Sequence, residues 1–499
     1  MLNFLTSVVS FAISFGISFF LSPYIVSKLG EEAYGFVHML TNLINIIQIA
    51  TVAINSMASR FISISFHQKD YDKANKYFSS VFCANVIMSL ILIVPTIVFS
   101  LVINNVFNVP EHLIADVRLS FFVLVVNFVV SICCSVFTVG TFVTNRLDLS
   151  YIRSMISQCL RGAVIVALFA MLKPSIVYMV IATLVATTYT SITNIILTKK
   201  LTPQLKVSRR YFDKISIKEL FSAGVWNSIG TLSYDLFNGI DLIISNIFIS
   251  ASAMGILSVS KTIPSTVNVL VTTVVAIFMP SFVEFYAKNQ IDKIKEGFET
   301  ANKLMLVFIV PILSFMIGFG NKFYTIWMPE LSAQSLQILS IIAIMPLYVA
   351  IGSKGLANIF TVTNKIKIPT IVTLVLAICS TLTVFVLLKF TNLGIYAIAI
   401  SSSFYLCIKE LIFVPLYAAK CLNTKITIFF GSIIKSVLIV VVSVAISSII
   451  GANVIADTWL SLIKWAAISS LIVIFAIVLM LFRKRDYVKI INKFKKRSV

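Results

Sequence analysis

Residues 2–26 read Leu2-Asn3-Phe4-Leu5-Thr6-Ser7-Val8-Val9-Ser10-Phe11-Ala12-Ile13-Ser14-Phe15-Gly16-Ile17-Ser18-Phe19-Phe20-Leu21-Ser22-Pro23-Tyr24-Ile25-Val26, without one charged side chain. At 1.5 Å per residue such a helix is about 37 Å long, more than the roughly 30 Å hydrocarbon core of a bilayer. The run has no basic segment before it and no small-residue cleavage site after it, and it is too long for a leader. It reads as a first transmembrane helix. Its polar residues are almost all Ser and Thr, which let helices approach closely inside a membrane.

The rest of the chain repeats the pattern. Further apolar stretches fall at 36–59, 79–103, 119–143, 154–172, 175–198, 221–249, 255–283, 304–320, 335–359, 368–388, 394–418, 426–450 and 459–482. Over all 499 residues, 59% are hydrophobic and only 12% charged, against about 25% charged in soluble domains. The reading is an all-α polytopic membrane protein with about fourteen spans. The net charge of +21 would suggest nucleic acid in a soluble protein. Here basic residues gather in the even-numbered links and the tail, 29 of them against 5 in the odd-numbered links. The positive-inside rule therefore places both termini in the cytoplasm and makes nucleic acid an unneeded partner. The basic tail 483–499 is expected to lie against anionic lipid headgroups. The seven Cys lack metal-ligand spacing, His38, His67 and His112 are scattered, and no phosphate-binding loop occurs. No metal, cofactor or catalytic residue is expected.

The two halves match at an offset of 219–220 residues. Gly35 pairs with Gly255, Asp72-Lys73 with Asp292-Lys293, Phe78 with Phe298, Pro110-Glu111 with Pro329-Glu330, and Val143-Thr144-Asn145 with Val362-Thr363-Asn364. Six spans separate equivalent points, so the repeats run in the same direction. The expected domains are a six-helix bundle at 1–198, a basic cytoplasmic linker at 199–220, a second six-helix bundle at 221–420 and two additional helices at 421–482. Parallel repeats of this kind are typical of transporters that rock about a central site.

Polar side chains mark where that site lies. Asn227, Thr231, Tyr234, Asn238, Asp241 and Ser245 are spaced by three or four residues, on one helical face. Ser258, Lys261, Ser265, Asn268 and Thr272 form another. Counterparts in the first half are His38, Thr41, Asn45 and Gln48. Amides and charges are costly in lipid, so these faces are expected to line a hydrated cavity. Lys261 and Lys354 have no acidic neighbour one turn away, and their repeat counterparts, Thr41 and Ser135, are neutral. They are the leading candidates for an anionic substrate, with Arg60 at the end of the second span as a bidentate phosphate grip. Asn227, Tyr234, Asn238, Asn268, Asn45 and Gln48 complete the candidate binding set. Asp241 and Asp235 are candidates for carrying a coupling ion.

The stretch Ser22-Pro23-Tyr24-Ile25-Val26-Ser27-Lys28-Leu29-Gly30-Glu31-Glu32-Ala33-Tyr34-Gly35 resembles the link between the first two helices of bacterial polysaccharide exporters. Asp241-Leu242-Ile243-Ile244-Ser245-Asn246 through Met254-Gly255-Ile256-Leu257 is its second-half counterpart, and Asn55-Ser56-Met57-Ala58-Ser59-Arg60-Phe61-Ile62 resembles the end of their second helix. The chain is thus similar to the oligosaccharide flippases of the MOP superfamily, which also holds the MATE drug exporters and the lipid II flippases. The resemblance implies a MATE-like two-lobed bundle in the bacterial cytoplasmic membrane. It implies export of an undecaprenyl-diphosphate-linked oligosaccharide repeat unit for capsule, O-antigen or exopolysaccharide, beside a polymerase and glycosyltransferases. A lipid II flippase would share the fourteen helices, the last two forming a groove for the lipid tail. A MATE-type cation-coupled exporter is the other alternative, favoured by Asp235 and Asp241 and disfavoured by the cationic excess within the spans.

Overall fold

The computed structural model describes residues 2–481; the basic tail lies outside the described residues. Within them there is no strand. The helices are α1 (Leu2–His67), α2 (Tyr71–Val106), α3 (Ile114–Cys134), α4 (Val139–Val143), α5 (Leu147–Met171), α6 (Ile176–Leu201), α7 (Lys214–Asn238), α8 (Ile240–Phe248), α9 (Ala251–Ser260) and α10 (Thr262–Ile277). They continue as α11 (Met279–Ala287), α12 (Ile291–Gly318), α13 (Gly320–Trp327), α14 (Ala333–Ala350), α15 (Ala357–Val362), α16 (Lys367–Phe390), α17 (Ile395–Ile408), α18 (Val414–Cys421), α19 (Phe430–Asn453) and α20 (Trp459–Leu481). The chain forms two compact units that meet in sequence between Val259 and Ser260.

Twelve helical stretches among the described residues are long and apolar enough to cross a membrane, against the fourteen expected. The difference has two sources. The expected spans 3–26 and 36–59 are two helices that meet at the non-helical Gly30 with no loop between them, so the stretch α1 holds both and enters the twelve only once. Gly30 sits at φ 82° and ψ 167°, a conformation essentially reserved for glycine. The expected span 221–249 falls on α7 and α8, and its Asn, Ser and Asp content keeps it out of the apolar set.

The duplication is visible in the backbone. The turn after α1 carries Lys69 at φ 63°, and the equivalent turn after α11 carries Asn289 at φ 54°. Asn145 and Asn364 repeat the left-handed position at φ 53° and 54°. The bonds agree as well: Asp70 N donates to Ser65 O and Gln290 N to Phe285 O, while Arg146 N donates to Thr141 O and Lys365 N to Phe360 O. Each half also interrupts the helix before the second turn with a 3₁₀ segment, 135–138 in one and 351–356 in the other.

In the first unit Ile62, Phe78, Val81, Val139 and Leu220 pack together from α1, α2, α4 and α7. Close approach does as much as apolar bulk: a Cβ on Gly255 would lie 2.3 Å from the Glu31 carbonyl oxygen, so α9 and α1 meet there only because residue 255 has no side chain. Asn55 and Asn85 exchange amide bonds of 2.8 and 2.9 Å, and Ser135 donates to Asn55 Oδ1 at 2.9 Å, joining three spans. The segment before α7 is strapped to α2. Asn75 Nδ2 donates to Gln204 O and its Oδ1 accepts from Lys206 N, Ser79 Oγ accepts from Ser208 N, and Ser80 Oγ accepts from Asp213 N.

The second unit is centred on α12. Phe298 stacks edge-on against Phe429, and Phe282, Phe360 and Tyr417 close the cluster. The last two helices dock here. Asn302 on α12 donates to Ser432 and Ser436 at 2.8 and 2.9 Å, and Lys322 Nζ donates to Gly451 O at 2.5 Å. Their outer faces carry exposed Leu438, Val441, Ile463, Leu471 and Phe475, a surface for lipid.

Candidate functional site

Two polar faces stand out, one in each unit. In the first, α1 beyond its turn buries Phe36, Met39, Leu40 and Ile44 on one side. His38, Thr41 and Asn45 are exposed on the other, with Gln48 half-buried one turn on. His38 lies near the start of the expected span 36–59 and Asn45 nine residues into it, where an amide facing hydrocarbon is costly. The Tyr34 and His38 rings lie 4.6 Å apart, and Tyr34 Oη meets Ser22 Oγ at 3.1 Å.

Arg161 belongs to the same neighbourhood, its guanidinium within electrostatic reach of both Tyr34 and His38. It stands fourteen residues into α5 and ten from its end, which is mid-span. Its Nε is buried without a hydrogen-bond partner, and among the described residues no carboxylate forms an ion pair with it. The sequence argument passed over Arg161 in favour of the lysines, although the same signal was present: it is the one charge of the stretch 154–172, with no acid one turn away and with Ser380 as its neutral repeat counterpart.

The α7 stripe holds only in part. Asn227 Nδ2 donates to Ser56 Oγ at 3.1 Å, Tyr234 is 64% exposed, and Asn238 Nδ2 caps back onto Tyr234 O. The helix then breaks at Gly239, whose carbonyl accepts from Asn42 Nδ2. Constant helical periodicity cannot pass such a break, so Asp241 and Ser245 leave the face and are buried; Asp241 Oδ1 accepts from Leu242 N. Asp235 is half-buried, its Oδ2 without a partner. Arg60 is exposed near the far end of α1.

In the second unit α10 exposes Ser265, Asn268 and Thr272 on one face, with half-buried Lys261 at the break between α9 and α10. Asn268 Nδ2 bonds to Pro264 O at 3.1 Å. Lys354 differs from the expectation of a lysine without an acid nearby. Its Nζ lies 3.2 Å from Glu410 Oε1, and Lys409 Nζ lies 3.7 Å from the same oxygen. The carboxylate comes from another span, where spacing along one helix cannot find it. Among the described residues no cluster of His, Cys, Asp and Glu could hold a metal.

With this geometry in hand, comparisons place the chain among known proteins. Residues 2–286 match the family described as polysaccharide biosynthesis protein. A Bacillus subtilis (strain 168) protein described as uncharacterized membrane protein EpsK is 31% identical over 462 residues, covering 93% of this chain and 91% of that one. Among solved structures, the lipid II flippase MurJ in an inward closed conformation superposes with a TM-score of 0.68 at 13% identity, covering 97% of this chain and all of that one. An inward-facing multidrug resistance MATE transporter of the MOP superfamily gives 0.62 at 14% identity, covering 83% and 96%. A MOP superfamily transporter from Pyrococcus furiosus gives 0.60 at 14% identity, covering 84% and 95%. These structures share the fold.

Proposed function

The chain belongs to the polysaccharide biosynthesis protein family of multi-pass membrane proteins, and from that premise we propose that it flips undecaprenyl-diphosphate-linked oligosaccharide repeat units from the cytoplasmic to the outer leaflet of a bacterial cytoplasmic membrane. Both termini are cytoplasmic in this reading. In this reading the two repeats alternate access for the substrate, and the product feeds a capsule, O-antigen or exopolysaccharide polymerase.

The observation that carries the proposal is Arg161. A guanidinium that pairs with no carboxylate among the described residues, in mid-span and beside the exposed polar face of His38, Thr41 and Asn45, suits a diphosphate. On the first unit the amides of Asn45, Gln48, Asn227 and Asn238, with Tyr234, supply uncharged hydrogen-bonding groups for sugar hydroxyls, and on the second unit Asn268 supplies another. The apolar carrier tail stays in lipid. Outward transfer of a negative charge is favoured by an inside-negative potential, by about 2.3 kcal/mol per charge per 100 mV, and Asp235 and Asp241 are the candidate carriers of a coupling ion.

The test is a deletion strain. Accumulation of the lipid-linked repeat unit, reversed by the wild-type gene but not by Arg161→Gln at equal membrane abundance, supports the reading. Unchanged surface glycan with raised sensitivity to cationic drugs contradicts it and favours the MATE-type alternative, for which the half-buried Asp235 is the specific observation.

A further inference from the structure

The cluster Lys354, Lys409 and Glu410 has more positive charge than an ion pair needs. Both ammonium groups converge on one oxygen, Glu410 Oε1, at 3.2 and 3.7 Å. One lysine would neutralise the carboxylate; the second leaves the cluster at +1. The cluster also lies deep. Lys354 precedes the end of α15 by eight residues and Glu410 precedes the end of α18 by eleven, roughly 12–17 Å along the helices. The Glu410 side chain is 11% exposed, those of Lys354 and Lys409 19% and 23%. The Glu410 side chain is the most enclosed of the three.

The backbone is built to produce this convergence. Lys354 projects from the 3₁₀ segment 351–356, and Lys409 and Glu410 open a π-helical turn, 409–413. Adjacent side chains of an α-helix diverge by about 100°. Within the wider π-turn Lys409 reaches the carboxylate of its own neighbour Glu410, and such turns recur at functional sites. The repeat counterpart of Lys354 is Ser135, which hydrogen-bonds Asn55 and Asn85, so the scaffold holds together there without a charge.

We propose that Lys354 and Lys409 form a binding site for a diphosphate group, and that Glu410 is its built-in competitor, holding both ammoniums until the diphosphate displaces it. The proposal rests on the flippase reading for its ligand and adds a second anion station, in the second unit. Glu410 serves as a place-holder that keeps the two lysines oriented and compensated between transport events, and that re-engages them to expel the ligand.

Binding to purified full-length protein in lipid nanodiscs tests this separately from export in cells, so the two readings can fail independently. The probe is inorganic diphosphate, followed by calorimetry. Glu410→Gln keeps the shape and removes the competitor; it is expected to bind at least tenfold more tightly than wild type. Glu410→Gln combined with Lys354→Gln restores the charge balance, guarding against misfolding of the single variant, and is expected to lose that gain. Undecaprenyl diphosphate is expected to compete with the probe, and phosphatidylglycerol is not. Equal affinity of wild type and both variants overturns the proposal, as does equally effective competition by phosphatidylglycerol, which would assign the site to bulk headgroups.

Discussion

Arg161→Gln separates a structural arginine from a working one. An arginine at the centre of a spanning helix costs about 2.5–3.5 kcal/mol on the insertion scale. Arg161 is half-buried and lacks a carboxylate partner among the described residues, so part of that cost, roughly 1–2 kcal/mol, is paid in the folded protein without a structural return. The glutamine variant is therefore expected to be more stable, with an apparent melting temperature about 1–4 °C higher in detergent. Transport is expected to fall at least about tenfold, because a charge-assisted hydrogen bond is worth roughly 1.5–3 kcal/mol. Arg161→Lys keeps the charge but not the planar fork, and is expected to fall between the two. The assay pairs fluorescence-detected gel filtration after heating with quantification of lipid-linked glycan in the deletion strain. A glutamine variant that melts earlier and exports normally would refute the reasoning, since that is the pattern of a buried structural pair.

Other outcomes follow from the packing. Asn85→Ala removes the reciprocal amide bonds to Asn55 and is expected to destabilise by about 1–3 kcal/mol; a double-mutant cycle with Asn55→Ala should return a coupling of about 0.5–1.7 kcal/mol. Gly255→Ala places a methyl against the Glu31 carbonyl and is expected to cost about 1–3 kcal/mol, whereas Gly16→Ala, with open space around its Cβ position, should change nothing measurable by the same heating assay. Asp213 caps α7 through Ile215 N and Ser216 N, and the hydrogen bonds from Ser216 hold its carboxyl below the ordinary range. A depressed folded-state value means the stabilisation is present at neutral pH and is lost as pH falls through that value. Asp213→Ala is therefore expected to cost about 1 kcal/mol at pH 7, with the gap to wild type narrowing below about pH 4.

Much of the architecture was readable because membranes impose long apolar runs, and because the repeat left small turn signatures. Val143-Thr144-Asn145 and Val362-Thr363-Asn364 are short matches, yet each ends in an asparagine at positive φ, a conformation asparagine adopts more readily than most residues. The site was readable in outline only. Periodicity placed His38, Thr41 and Asn45 on one exposed face of α1, but it carried the α7 stripe past Gly239, where the helix breaks and Asp241 turns inward. A search for acids one turn away cleared Lys354, because Glu410 approaches from a different span and through a π-turn that the sequence does not announce. Arg161 met the same two criteria as the lysines, no acid one turn away and a neutral repeat counterpart, and was passed over because the lysines read as the deeper charges. The sequence separated the first two helices correctly, but Ser27-Lys28 and Glu31-Glu32 read as a loop and are helical, so the break between the two helices is confined to Gly30.

The most direct test of the account is translocation in proteoliposomes. Purified protein is reconstituted with a fluorescent oligosaccharide on an undecaprenyl diphosphate, and the fraction of label protected from a membrane-impermeant quencher is followed over time. The account predicts that wild type moves label between leaflets, faster under a potential that draws negative charge across, and that Arg161→Gln moves it at least tenfold more slowly. Equal rates for wild type, Arg161→Gln and protein-free vesicles would contradict the claim that this membrane protein carries a lipid-linked diphosphate across the membrane.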